Sequence, residues 1–264
     1  MTMLRFSANL TMLFNEVDFL DRFERASRAG FKGVECQFPY QWEREELAEK
    51  LDRHGLELVL HNLPAGELLA GERGIACLPE RVGEFQEGVG LAIDYAKVLG
   101  CPRLNCLAGI TPKEVPAKKV RQTLVDNLRF AAPALEKEGI SLLIEALNTH
   151  DFPGFYLSHT RDVLQLFAEV NHANLWLQYD IYHMQIMEGN LTRTILDNLA
   201  RIAHIQLGDN PGRHEPGTGE INFTNLFRFI DEAGYAGWIG CEYKPAGVTE
   251  EGLKWVKPYL KGGE

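Results

Sequence analysis

The chain has 264 residues, 45% hydrophobic and 24% charged, with 27 Lys and Arg against 37 Asp and Glu, a formal net charge of -10 and pI ≈ 5.4. That length and apolar content suit a soluble globular protein with a sizeable core. The acid excess, without Lys/Arg clusters, argues against a nucleic-acid partner and against an anionic membrane surface. No run approaches the ~18 apolar residues of a membrane span. Five cysteines, an odd number without a C-x-x-C pair, point to a reducing compartment without disulfides, and the lack of an apolar leader before LRFSANL gives a cytoplasmic expectation.

In chain order, LRFSA reads as a first strand. FLDRFERASRAG follows as an amphipathic helix, with Phe19, Phe23 and Ala26 on one face and Gly30 as its cap. GVECQF is the second strand, and REELAEKLDRHG repeats the helix pattern with Leu47 and Leu51 before Gly55. LELVLH, then VGLAIDYAKVLG ending at Gly100, RLNCL, and LVDNLRFAAPALEKEG ending at Gly139 continue the alternation. ISLLIE, DVLQLFAEV, LWLQYD, TRTILDNLA, IAHIQL, NLFRFIDEAG, WIGCEY and a last helix, EEGLKWVKPYL, complete it. Eight strands alternating with eight helices, without a linker, predict the α/β class: a single (β/α)8 barrel over residues 1–264. An open doubly wound sheet is disfavoured because no G-x-G-x-x-G follows the first strand, and no nucleotide cofactor is expected.

Four of these strands end in an oxygen side chain: Glu145, Asp180, Gln206 and Glu242, separated by 35, 26 and 36 residues. In a barrel, strand C-termini converge on one mouth. Three carboxylates and one amide there are costly to bury without a cation, and an all-oxygen set favours a hard ion, Mg²⁺ or Mn²⁺. The alternative is a carboxylate cluster balanced by Arg213 and Lys244 with no metal. His183, three residues after Asp180, is placed in the loop above the strand, where it can face a substrate. Arg213, in the loop RHEPGTGE, can fork onto a carboxylate. Lys244 follows Glu242 by two, so on an extended strand the two share a face. His61 and Asn62, at the end of the third strand, can hold substrate hydroxyls. HMQIM reads as loop packing.

The motifs IEALN, QYDIYHMQ, HIQLGDNPGRHEPGTGEINF and GWIGCEYKP, with SANLTMLF and LHNLPAGE, resemble the hydroxypyruvate isomerase family of xylose-isomerase-like barrels, over nearly the whole chain. The resemblance implies a TIM-type barrel that converts hydroxypyruvate to 2-hydroxy-3-oxopropanoate. It matches Glu145 and Glu242 to two proton-transfer glutamates, and Asp180 and Gln206 to the other metal-contacting positions. The wider superfamily often has His where this chain has Gln206, which leaves the need for metal open. A sister group acting on 2-oxo-tetronates shares the same motifs. More distant alternatives are a sugar or sugar-acid epimerase, a non-catalytic sugar-acid binder, and an endonuclease or phosphoesterase on the same barrel type. The expected partner is a small hydroxy or oxo acid, and a homo-oligomer is compatible with the sequence.

Overall fold

The structure is a computed structural model and describes residues 4–260. Eight strands, β1 (Arg5–Asn9), β2 (Gly33–Glu35), β3 (Glu57–Asn62), β4 (Arg103–Cys106), β5 (Ser141–Glu145), β6 (Leu175–Asp180), β7 (Ile202–Leu207) and β8 (Trp238–Cys241), pair in sequence order. All pairs are parallel, and β8 pairs β1 to close the ring. The helices between them are α1 (Arg22–Ala29), α2 (Arg44–His54), α3 (Val82–Leu99), α4 (Ala117–Lys137), α5 (Thr160–Val170), α6 (Ile181–Met187), α7 (Leu191–Asn198) and α8 (Phe223–Glu232). After β8 come two short pieces, α9 (Thr249–Gly252) and α10 (Lys257–Leu260), with a 3₁₀ turn between them. The expected alternation is therefore present, but the single eighth helix is broken. No helix among the described residues is long and apolar enough to cross a membrane.

The period of two along each strand sorts the side chains. Leu104, Leu142, Leu177, Ile205 and Ile239 are buried in the cluster that includes helix residues Leu124, Leu128, Leu166, Ile195 and Leu226. This outer shell supplies most of the apolar burial, at about 25 cal/mol per Å² removed from water. The barrel interior is different. Val59, Leu143 and Trp238 pack with Trp176. Toward the strand C-termini, Ser7, Asn9, Glu35, Asn105, Glu145, Gln178, Asp180, His204 and Gln206 are all buried. A polar interior survives when its groups bond to one another, and each of these side chains except Asp180 hydrogen-bonds at least one other in this set.

Two expectations about local structure are corrected. After Asp180 the chain turns at once into α6, because the Asp180 side chain accepts from the amides of Tyr182 and His183 as an N-cap. His183 and the HMQIM residues are thus helical, not loop. Strand β8 stops at Cys241, so the shared extended face inferred for Glu242 and Lys244 does not exist; Lys244 sits in the following loop and is exposed.

Candidate active site

The mouth of the barrel opens into a cavity of about 850 Å³. Its wall includes Glu145, Gln178, His183, Arg213, Glu242 and Lys244. Glu145 is the last residue of β5. Its Oε2 accepts from Asn105 Nδ2 and Gln178 Nε2, each at 3.0 Å. Burial, then the charges of Glu242 and Asp180, hold its carboxyl well above the ordinary carboxylate range. Glu242 follows β8 directly. Its Oε1 accepts from Asn9 Nδ2 at 3.1 Å and Gln37 Nε2 at 2.8 Å, and its Oε2 from Arg213 Nη2 at 2.5 Å. Burial pushes Glu242 up to about 7; Arg213 opposes that rise, while Asp180 and Glu35 add to it.

Arg213 is the pivot of this charge set. Its Nη2 also donates to Asp180 Oδ2 at 3.1 Å, so one guanidinium ties two carboxylates. Its Nε is buried without a hydrogen-bond partner, and its guanidinium lies 5.1 Å from the Tyr182 ring centroid. The backbone at Arg213 is left-handed, with φ 56°, a strained setting for a non-glycine residue. It is held there by Asp209, whose carboxylate accepts from the amides of Asn210, Gly217, Gly219 and Ile221. The Arg213 carbonyl accepts from the Lys244 amide at 2.7 Å.

His183 Nδ1 lies 2.7 Å from Asn148 Nδ2, an amide donor, which leaves the ring hydrogen of the neutral form on Nε2, 3.4 Å from Asp180 Oδ2. Burial lowers its pKa to about 4, so it stays neutral at physiological pH. Tyr182 donates to Asp151 Oδ2 at 2.8 Å, and Asp151 also accepts from Asn148 Nδ2.

The structure brings Glu145, Asp180 and Glu242 together, and Gln206 lies among them in a different state. Gln206 Oε1 accepts from Gln178 Nε2 at 2.6 Å, and its Nε2 donates to Glu35 Oε1 at 2.8 Å. Its oxygen therefore already accepts one hydrogen bond and keeps its second lone pair. Asn62 lines the cavity. His61 does not: it is buried beside Tyr40, and burial lowers its pKa to about 4. Lys244 reaches the rim. The sequence reading missed Glu35, His204, Asn9, Asn105 and Gln178, whose hydrogen bonds carry the glutamates, and Asp209, whose four amide bonds shape the Arg213 loop.

A metal fits part of this site. Ligand atoms of Glu145, Asp180 and His183 all lie within 4.8 Å of one another, and all three residues are buried. Burial raises Glu145 most, and the repulsion from Glu242 and Asp180 that adds to it is what a divalent cation would relieve. His183 is thus a ligand candidate alongside the four oxygen donors named from sequence, among which Gln206 keeps a second lone pair beside its bond from Gln178.

Known proteins resemble this chain in sequence and fold. A model of the xylose isomerase-like TIM barrel family matches residues 23–259. The hydroxypyruvate isomerase of Escherichia coli (strain K12) is 56% identical over 257 residues, covering 97% of this chain and 100% of that protein. A 2-oxo-tetronate isomerase of Cupriavidus necator is 45% identical over 256 residues, covering 97% of this chain and 98% of that protein. A crystal structure of a Brucella melitensis protein described as AP endonuclease, family 2, is 44% identical with a TM-score of 0.95, covering 97% of this chain and 99% of that one. With its closed parallel barrel, its matched length and these relatives, the chain belongs to the hydroxypyruvate isomerase family of xylose isomerase-like TIM barrels.

Proposed function

We propose that the chain is a sugar-acid isomerase that interconverts hydroxypyruvate and 2-hydroxy-3-oxopropanoate by proton transfer between Glu145 and Glu242. The observation that carries this reading is the pair of buried carboxyl groups on strands three places apart in the ring, both raised but by different surroundings. Two titratable groups whose environments differ in this way divide naturally into acid and base. Without a bound cation, burial and its acidic neighbours hold Glu145 toward its protonated form, while Arg213 draws Glu242 toward its carboxylate form.

In the forward direction Glu242 takes a proton from C3 of hydroxypyruvate, and the electron pair moves onto the C2 carbonyl to give an enediolate. The C3 hydroxyl gives up its hydrogen to the C2 oxygen, and Glu145 returns a proton to C2, leaving the aldehyde at C3. The reverse reaction exchanges the two roles. Arg213 neutralises charge in the site and lines the cavity, and it is the cation we assign to the substrate carboxylate. Asn62 and His183 face the same cavity as hydroxyl contacts, and Lys244 adds a second cation at the rim. Glu145, Asp180, Gln206 and Glu242, with His183, would hold Mg²⁺ or Mn²⁺. Such an ion would supply Lewis-acid polarisation of the substrate oxygens.

A second reading, 2-oxo-tetronate isomerisation by the same residues, is supported by the 45% identity to the Cupriavidus necator enzyme, and the cavity admits either acid. About 850 Å³ is ample for a four-carbon acid. A proton NMR time course of the pure protein with each acid separates the two readings. Isomer formation from hydroxypyruvate at the higher kcat/KM supports the first. Turnover of the tetronate alone transfers the assignment to the second.

A further inference from the structure

Glu35, at the end of β2, is 1% exposed and lies outside the cavity wall. We propose that it is a positioning residue that sets the donor and acceptor direction of the hydrogen bonds reaching both mouth glutamates. This rests on the proposed roles of Glu145 and Glu242.

The argument follows from what a carboxylate can do: it accepts and does not donate. Glu35 Oε1 takes hydrogen bonds from Gln206 Nε2 at 2.8 Å and Asn9 Nδ2 at 3.0 Å. Glu35 Oε2 takes one from Ser7 Oγ at 3.0 Å and faces His204 Nε2 at 2.8 Å. Burial alone would raise its pKa, but His204, Gln206 and Asn9 more than offset this and hold it below the usual range. Each amide that donates to Glu35 has its orientation fixed. Gln206 must turn its NH₂ toward Glu35 and its oxygen away. That oxygen then demands a donor, and Gln178 Nε2 supplies it at 2.6 Å. The same Gln178 nitrogen reaches Glu145 Oε2 at 3.0 Å. On the other branch, Asn9 Nδ2 serves Glu35 at 3.0 Å and Glu242 Oε1 at 3.1 Å. One buried acid thus presents N–H groups, not oxygens, to both glutamates.

The direction follows because a carboxylate has no hydrogen to give, and the barrel leaves room for that carboxylate: a Cβ on Gly240 would overlap both of its oxygens.

The test compares Glu35→Gln and Glu35→Asp with the wild type by kinetics and by NMR of the Gln178 and Gln206 side-chain amides. Gln is isosteric but can donate, so the direction of the chain is no longer fixed. In folded Glu35→Gln we expect kcat to fall by roughly 10- to 100-fold with KM within about twofold, the pattern of lost transition-state alignment. Glu35→Asp remains acceptor-only and should fall between the two. The NMR arm needs neither turnover nor substrate. Slow solvent exchange at both Gln amides in the wild type should be lost in Glu35→Gln and partly kept in Glu35→Asp. If Glu35→Gln does not fold, Glu35→Asp carries the test, with reduced kcat, unchanged KM and partial protection expected. Wild-type amide protection in whichever variant is folded overturns the inference, as does wild-type kcat. A wild type inactive on both acids would instead remove the functional reading, and the NMR comparison would still decide the wiring.

Discussion

At Glu242, burial and two neighbouring acids favour the proton, while Arg213 and the donors Asn9 and Gln37 favour the charge, and the balance settles near 7. Glu145 has two amide donors and no cation directly bonded to it, so it sits further toward the protonated side. Glu145→Gln or Glu242→Gln should each lower kcat by at least ~10²-fold in folded protein, the scale of acid–base catalysis, as measured by steady-state turnover. If Glu242 must be ionised to act, kcat/KM should rise with pH through an apparent value near 7, and Glu242→Gln should remove that limb from whatever activity remains; because the two carboxyls interact, the apparent value belongs to the pair. Stability runs the other way. A raised carboxyl pKa favours the native state below the unfolded value of 4.5, and that contribution is lost as pH rises to about 7. Thermal melts without added metal should therefore show Glu242→Gln less sensitive than wild type to pH over that window. Glu145, Asp180 and Glu242 stood out in the sequence because four successive strand ends carry an oxygen side chain, although any one of them alone reads as a helix cap or a solvent contact. Glu35 did not: within GVECQF it reads as ordinary alternation, and nothing local says that His204, on a distant strand, will meet it.

The loop after β7 shows how one residue shapes an element. Asp209 gathers four backbone amides, while its own amide donates to the His214 carbonyl at 2.8 Å. Gly219 is required in this fold, since a Cβ would overlap the Asn210 carbonyl and the Asp209 side chain. Asp209→Asn places an NH₂ among N–H donors. At about 1–3 kcal/mol for each unsatisfied group, Tm should fall by several degrees. Arg213 should lose its setting, and KM for the acid should rise more than kcat falls, which calorimetry and kinetics together would check. Arg213→Ala should raise KM strongly in folded protein, and Arg213→Lys should recover only part, because Lys cannot reproduce the planar fork. Helix–Gly–strand punctuation made most elements readable: Gly30, Gly55 and Gly100 each cap a helix in the left-handed conformation. The short α6 was not readable, because its start depends on the Asp180 side chain acting as a cap, while the same residue was read as a strand-end ligand.

Across the whole molecule, an apolar shell between strands and helices surrounds a barrel interior wired with polar groups, and the wiring ends at one acidic mouth. The eightfold alternation revealed that architecture because strand and helix periods are local properties of the chain. The interior network was hidden because its partners lie far apart in sequence: Asn9 and Glu242, for example, are 233 residues apart. Three buried carboxylates at one mouth, two of them bonded to a single arginine, should also make stability depend on cations. Added Mg²⁺ or Mn²⁺ should raise Tm in proportion to the logarithm of its concentration above Kd, and Asp180→Ala should abolish the effect; equal melting curves with EDTA and with either ion would count against a metal site. The most direct test of the central claim is a proton NMR time course of hydroxypyruvate with purified protein in D₂O. The account predicts that 2-hydroxy-3-oxopropanoate forms with deuterium at C2, because the proton returned by Glu145 exchanges with solvent, and that Glu145→Gln and Glu242→Gln both suppress the signal by at least ~10²-fold. Product formation at wild-type rate in either variant would contradict it.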